Sequence, residues 1–236
     1  MSARQAFSQA RIDLLFAHER KTSLCAPFVA ALPVRGASLS VLAGAAGQAT
    51  VCSSNDTAAR LDELQFDLGE GPCWDALSTR GPILQPDLAT DGLRAWPIFT
   101  RAVLENTESG EVRAVYAFPL FVGSLGIGAV DLYSSEHAPL EAEQITNAAE
   151  LASLASWQVL RRILADDSAD ELGGPSVNHR REVHQATGMV LAQLGISAAD
   201  AALLLRAHAY ASGRTVAEVA SDIVERKLDF RVDSNH

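Results

Sequence analysis

The chain has 236 residues, 48% of them hydrophobic, and a formal net charge of −10 from 19 Lys/Arg and 29 Asp/Glu. That is enough for one large domain or two smaller ones with a substantial core. No run of about 18 apolar residues occurs, which excludes a helical membrane span, and Arg11, Asp13, His18, Glu19, Arg20 and Lys21 interrupt any leader-like apolar stretch. Cys25, Cys52 and Cys73 are odd in number and widely spaced. They argue against a disulfide framework and for a reducing cytoplasm. No Cys/His cluster has the spacing of a zinc site, so no metal is expected.

The acidity is not uniform. Residues 1–172 hold 12 Lys/Arg and 22 Asp/Glu, whereas residues 173–236 hold 7 and 7. The negative charge belongs to the N-terminal part, and the neutral C-terminal part is compatible with a nucleic-acid partner.

In chain order, Ile12, Leu15 and Phe16 space as one face of a first helix, and Leu24–Leu32 predicts another. Ala37–Ala43 and Ala49–Ser53 read as strands joined through Gly44–Gly47, a hairpin. Thr57–Phe66 is helical, and Gly69–Ala76 reads as a Gly-Pro-shaped loop that contains Cys73. Gly81–Asp87 is a short strand bounded by prolines, and Arg94–Asn106 a helix entered through Trp96-Pro97. Val112–Phe121 and Ile127–Tyr133 are apolar strands. Leu140–Leu164 is a long helix whose stripe of Ile145, Ala148, Ala149, Ala152, Leu154, Ala155, Val159 and Ile163 suits close pairing of helices, hence a homodimer. This mixed order predicts an α+β fold, an antiparallel sheet flanked by helices, followed by a small all-α unit of three helices. The acidic and Gly-Gly-Pro stretch between them predicts domains at 1–165 and 178–230 with a linker at 166–177.

Near the C-terminus two similar punctuation marks occur, Gly195-Ile-Ser197-Ala-Ala-Asp200 and Gly213-Arg-Thr215-Val-Ala-Glu218. Glycine in the left-handed conformation closes a helix, and Ser or Thr with an acid three residues on opens the next. They delimit helices at about 178–194, 198–212 and 216–227. Each has an apolar stripe too short to be stable alone, so the three pack together or on a partner.

Three N-terminal segments resemble the GAF domain of actinobacterial two-domain regulators: Gln65–Ala76 with Gly69-Glu-Gly-Pro-Cys-Trp-Asp75, Trp96-Pro-Ile-Phe99, and Phe118-Pro-Leu120 followed by Gly128–Tyr133. The resemblance implies a central antiparallel sheet with a small-molecule pocket, here involving Gly71, Cys73, Trp74 and Phe118. It implies no bound cofactor beyond an unidentified small-molecule signal. The Asn-Lys-Phe-Asp-Glu signature of cyclic-nucleotide GAF domains is absent. Some GAF domains reduce free methionine sulfoxide with pocket cysteines, which gives an alternative in which Cys73 works with a partner such as Cys52, as reductase or redox sensor.

In the C-terminal unit, Val183-His-Gln185-Ala-Thr-Gly188-Met-Val190, then Ala201, Leu205-Arg206, Ala209 and Val219-Ala220 resemble the ANTAR domain, a three-helix RNA-binding module of transcription antitermination regulators. What this implies is a dimer that binds a paired stem-loop RNA with two hexaloops and blocks an overlapping terminator hairpin, with no catalysis and no catalytic residues. Gln185 carries an amide for a base edge, Arg180, Arg181, Arg206 and Arg214 can pair with phosphates, and His184, Thr187 and Gly188 share the same motif. Gly188 within a helix costs roughly 1 kcal/mol relative to alanine, which points to close approach, either of RNA or of a neighbouring helix. Thr187 stands where many ANTAR domains have Lys or Arg, and Ala202 where many have an aromatic. A DNA-binding helix-turn-helix is the other binding-module reading. Against it, the third helix carries Glu218, Asp222 and Glu225 and is no basic recognition helix.

Overall fold

A computed structural model of the protein describes residues 2–42, 49–108, 110–137, 139–165 and 175–230, with backbone only at 165, 175–181 and 199. The chain divides into two compact units, Met1–Glu171 and Leu172–His236. The Gly44–Gly47 turn and the acidic linker expected from the sequence lie outside the described residues. No described helix is long and apolar enough to cross a membrane.

The first unit is built on a five-stranded antiparallel sheet ordered β2-β1-β5-β4-β3. Its strands are β1 Gly36–Val41, β2 Ala49–Ser53, β3 Ile83–Gln85, β4 Ala114–Val122 and β5 Leu125–Ser134. Strand alternation sends Ala37, Leu39, Tyr116, Phe118, Leu120, Val130 and Leu132 to one face. There α1 Ala3–Leu15, α3 Ala26–Ala31 and α8 Ala142–Ala165 cover them. The other face, with Ser38, Ser40, Val115, Ala129, Asp131 and Tyr133, lies under α4 Asp56–Leu68, α5 Pro72–Thr79 and α7 Pro97–Asn106. Two short helices, α2 Ala17–Arg20 and α6 Leu93–Ala95, and a π-helical turn at Leu88–Gly92 also belong to the unit.

Four expectations change. First, α1 buries Ala6, Ala10 and Leu14, while Ile12, Leu15 and Phe16 face outward. Both stripes have helical period, and the small one is chosen because α1 lies close against α3 and α8. Second, Gly69–Ala76 is no open loop: Pro72 starts α5 at the first helical position, which its fixed φ favours, after Gly71 at φ 143°. A Cβ on Gly71 would lie 2.6 Å from the Gln65 side chain, so both the conformation and the space demand glycine.

Third, the alanine stripe of α8 is already used inside the unit: Ala148, Ala152, Ala155 and Val159 are buried in the sheet-face core, and Gln158 donates to the Leu15 carbonyl at 3.1 Å. Fourth, Cys25 and Cys52 are disulfide-bonded, with Cα atoms 6.0 Å apart. The bond joins the start of α3 to strand β2. Closing 27 residues in this way restricts the unfolded chain by roughly 3 kcal/mol. The fold brings together two cysteines whose spacing carries no pairing signal.

The second unit consists of α9 Pro175–Leu194, α10 Ala198–Ser212 and α11 Val216–Val224. Both punctuation marks act as read. Gly195 and Gly213 have φ of 66° and 65°, and Thr215 and Glu218 form a reciprocal capping box. The Thr215 amide and hydroxyl hold the Glu218 carboxyl below the usual glutamate range. At the shorter version, the Ser197 hydroxyl accepts from the Asp200 amide and donates to its own carboxylate at 2.6 Å. Aspartate is one methylene shorter than glutamate and reaches the hydroxyl instead of the cap backbone.

Candidate nucleic-acid interface and sensor pocket

The motif of the second unit separates into core and surface. Ala186, Val190, Ala201, Leu205, Ala209, Val216, Val219, Ala220 and Ile223 form its buried core. Leu228 and Phe230 fold back onto that core, and the Phe230 ring meets His208 edge-on at 5.3 Å. What the motif leaves outside on α9 is His184, Gln185 and Gly188, all exposed. Residues three and four apart share a helix face, so these three form one patch.

Gly188 is the informative member. A Cβ built there meets nothing within 4 Å. No neighbouring helix needs the missing methylene, so close helix packing does not account for this glycine. A mid-helix glycine that costs stability and relieves no internal crowding leaves bare backbone toward whatever approaches from outside.

The other residues assigned to RNA contact divide. The Thr187 hydroxyl donates to the Val183 carbonyl at 2.7 Å, within its own helix. Arg214 is held by Asp222 at 2.7 Å and by the Glu218 carbonyl at 3.1 Å, so its first role is to neutralise the acidic face of α11. Arg206 is half-buried on α10. The side chains of Arg180 and Arg181 lie outside the described residues. One surface feature carried no sequence signal: Tyr210 of α10 is 75% exposed, with Leu203 of the same helix also open. A single tyrosine in an alanine-rich helix reads equally well as core, and only the packing shows that it faces out.

In the first unit the GAF-like motifs hold one another together. Glu70 Oε1 accepts from the Ile98 and Phe99 amides at 2.9 and 3.0 Å, capping the start of α7. The Trp96 indole donates to Asp75 at 2.9 Å. Gln65 accepts from the Cys73 amide through its side chain and from the Trp74 indole through its carbonyl, both at 2.9 Å. Gly71, Cys73 and Trp74 are thus gathered around Gln65, with Cys73 buried among Leu42, Phe66 and Ala129. Phe118 is not with them: it packs on the opposite face of the sheet. A different set, including Ser38, Leu61, Gln65, Phe99, Asp131 and Tyr133, lines the internal cavity between the sheet and the helices over it. Cys52, suggested from the sequence as a possible resolving partner of Cys73, is bonded to Cys25.

The cavity has an unusual polar wall. Asp62 of α4 is fully paired, accepting from the Ser40 and Thr50 hydroxyls at 2.5 Å each. Asp131 of β5 is only 7% exposed, and among the described residues no hydrogen bond of normal geometry reaches either carboxylate oxygen, the Gln65 side chain being its polar neighbour. Burial first, and then the neighbouring Asp62, push its pKa well above the ordinary aspartate range, while the Gln65 amide beside it acts in the opposite direction.

Residues 176–224 match the ANTAR domain. No curated protein sequence matches the chain. Among solved structures, the chain is similar to the GAF domain of an Acinetobacter phosphoenolpyruvate-protein phosphotransferase, at 12% identity and a TM-score of 0.51, covering 72% of this chain and 100% of that one. The GAF domain of the Coxiella burnetii phosphoenolpyruvate-protein phosphotransferase is similar at 12% identity and a TM-score of 0.50, covering 70% and 98%. At such identities the likeness is one of fold, and it agrees with the sheet and flanking helices described above. The chain therefore joins a first unit of GAF-like fold to an ANTAR domain at residues 176–224.

Proposed function

We propose that this protein is a signal-responsive antitermination regulator that binds double-hairpin leader RNA through its C-terminal unit, under control of the GAF-like domain. The observation that carries the reading is Gly188: exposed, crowded by nothing in its own unit, and flanked on its face by Gln185 and His184. Exposed loop bases need edges to hydrogen-bond and room to approach, and phosphates need cations. Gln185 supplies the amide, Gly188 the room, and Arg206 with Arg180 and Arg181 the positive charge. The mechanism is steric and involves no catalysis: an RNA held as two hairpins cannot form the overlapping terminator.

The test is a gel shift of the full chain against two-hexaloop leader RNAs. Gln185→Ala with Arg206→Ala is expected to weaken binding by about tenfold or more, since each lost base-edge or charged contact is worth roughly 1–3 kcal/mol. Unchanged affinity overturns the site assignment.

A homodimer is part of the proposal, through a different surface from the alanine stripe. Trp157 is 54% exposed on α8, Leu164 is open about two turns further on, and Ile12, Leu15 and Phe16 are open on the adjoining α1. Trp157→Asp is expected to halve the mass seen by light scattering at micromolar concentration, with the circular-dichroism spectrum kept. A wild-type chain that scatters as a monomer removes the dimer from the proposal.

A further inference from the structure

On the RNA-binding reading, this protein works where thiols are kept reduced, and disulfides in that setting are usually transient and catalytic or redox-sensing. The first unit nevertheless brings two cysteines into bonding distance, Cys25 and Cys52, with Cα atoms 6.0 Å apart. Their surroundings are unequal. Cys25 stands at the N-cap of α3 and is fully buried. Cys52 is half-buried on β2, the edge strand, whose sheet neighbour is β1. A reachable sulfur backed by a buried one suits a pair in which the first is attacked and the second resolves. The third cysteine is out of this arrangement: Cys73 is buried on the opposite face of the sheet.

One end of the bond lies in the segment that holds the outgoing helix. The Cys25 amide donates to the Ser23 hydroxyl at 3.1 Å, and the neighbouring Thr22 carbonyl accepts from Arg162 of α8 at 2.9 Å. Leu24 shares the buried core with Leu151, Ala155 and Val159 of α8. Residues 22–25 are thus fastened to the edge strand on one side and to the last turns of α8 on the other. The other end is lightly held: β2 has five residues, and its pairing with β1 shifts register between Leu39 and Ser40. With the bond open, only non-covalent contacts hold residues 22–25 in place.

We propose that Cys25 and Cys52 are a reversible redox site, closed by exchange with a low-molecular-weight disulfide and opened by the corresponding thiol, and that the closed bond fixes the last turns of α8. This rests on the RNA-binding reading, which supplies the reducing setting, and it names a signal chemistry for the first unit. In closing, the Cys52 thiolate attacks one sulfur of the small disulfide, whose S–S bond breaks and releases a thiolate. The Cys25 thiolate then attacks Cys52 Sγ and releases the second. Two protein thiols lose two electrons, the small disulfide gains them, and the two cysteine protons pass to the released thiolates. Opening is the reverse, with Cys25 as the leaving group.

The experiment equilibrates the full chain with glutathione and glutathione disulfide over ratios from strongly reducing to strongly oxidising. Thiols are then alkylated in denaturant and the mass is read. The protein is expected to pass from three alkylated cysteines to one, with its circular-dichroism spectrum kept throughout. Cys25→Ser is expected to trap glutathione on Cys52, and Cys52→Ser to take up about tenfold less, because its remaining partner is buried. Hydrogen exchange at residues 158–164 is expected to be about tenfold faster in the reduced than in the oxidised protein, and as fast in Cys25→Ser at every ratio. A bond that stays closed until the unit unfolds, a bond that never closes, equal glutathione uptake by the two variants, or equal exchange in the two forms overturns the proposal. A gel shift on the same preparations keeps the claims apart. RNA binding absent from both forms sinks the RNA reading alone, and a bond that never opens while RNA binding is intact sinks the redox site alone.

Discussion

Gly188→Ala is expected to make the C-terminal unit more stable and a worse RNA binder at once. The stability gain follows from helix propensity, roughly 0.5–1 kcal/mol for glycine to alanine in a helix interior. No packing contact opposes it, because among the described residues the new methyl meets no atom within 4 Å beyond its own helical turn. In a unit this small that raises the melting temperature by about 4–8 °C per kcal/mol. On the proposed site the same methyl would stand where RNA is to approach Gln185, and a tenfold or greater loss of affinity is expected, about 1.4 kcal/mol. Opposite signs in one substitution are hard to obtain from damage to the fold, which lowers both. A thermal melt and a gel shift on the same protein decide it. Higher stability with full RNA affinity would show that the exposed backbone at Gly188 does not meet RNA.

Leu205→Ala is expected to abolish the fold of the second unit while sparing the first. Leu205 is fully buried among Ala186, Val190, Ala201, Val219 and Ile223. Truncating a core leucine costs about 2–5 kcal/mol once the cavity is included. A single core below about 70–80 residues rarely supplies more than about 3–5 kcal/mol in total, and the whole second unit is Leu172–His236. The truncation therefore removes most of its stability. Calorimetry of the full chain should lose one transition and keep the one belonging to Met1–Glu171, and RNA binding should vanish. Leu203→Ala, two residues earlier but exposed, is the control and should change stability by no more than about 0.5 kcal/mol. Equal loss at both positions would contradict the division of α10 into buried and open faces.

The two substitutions differ in what made them visible. Leu205 follows from a three- and four-residue apolar rhythm, which any observer of the sequence sees. Gly188 was ambiguous in sequence, because a glycine that admits RNA and one that admits a neighbouring helix are written the same way. The empty space around it removes a neighbouring helix as the reason, and contact with RNA is what we propose in its place. In the first unit, Gly71, Cys73 and Trp74 stand out through the GAF resemblance. Cys73 and Trp74 bond to Gln65, which lines the internal cavity together with Asp131, a residue of the Gly128–Tyr133 motif that nothing in the sequence singles out.

What the sequence determines by itself is what is decided within four or five residues. Gly195 and Gly213 close helices, and Ser197 and Thr215 open them, since capping bonds span one turn. The strands at Ala49–Ser53 and Leu125–Ser134 follow from local β-forming runs. The tertiary structure decided everything that depends on which segments meet. It selected Ala6, Ala10 and Leu14 over Ile12, Leu15 and Phe16 as the inner face of α1. It joined Cys25 to Cys52 across 27 residues, and it turned Ser38, Ser40 and Asp131 inward although their polarity argues for solvent. The reason is range: caps and turns are satisfied by adjacent backbone, whereas burial, disulfide pairing and an inward-facing carboxylate are properties of contacts that no local spacing encodes.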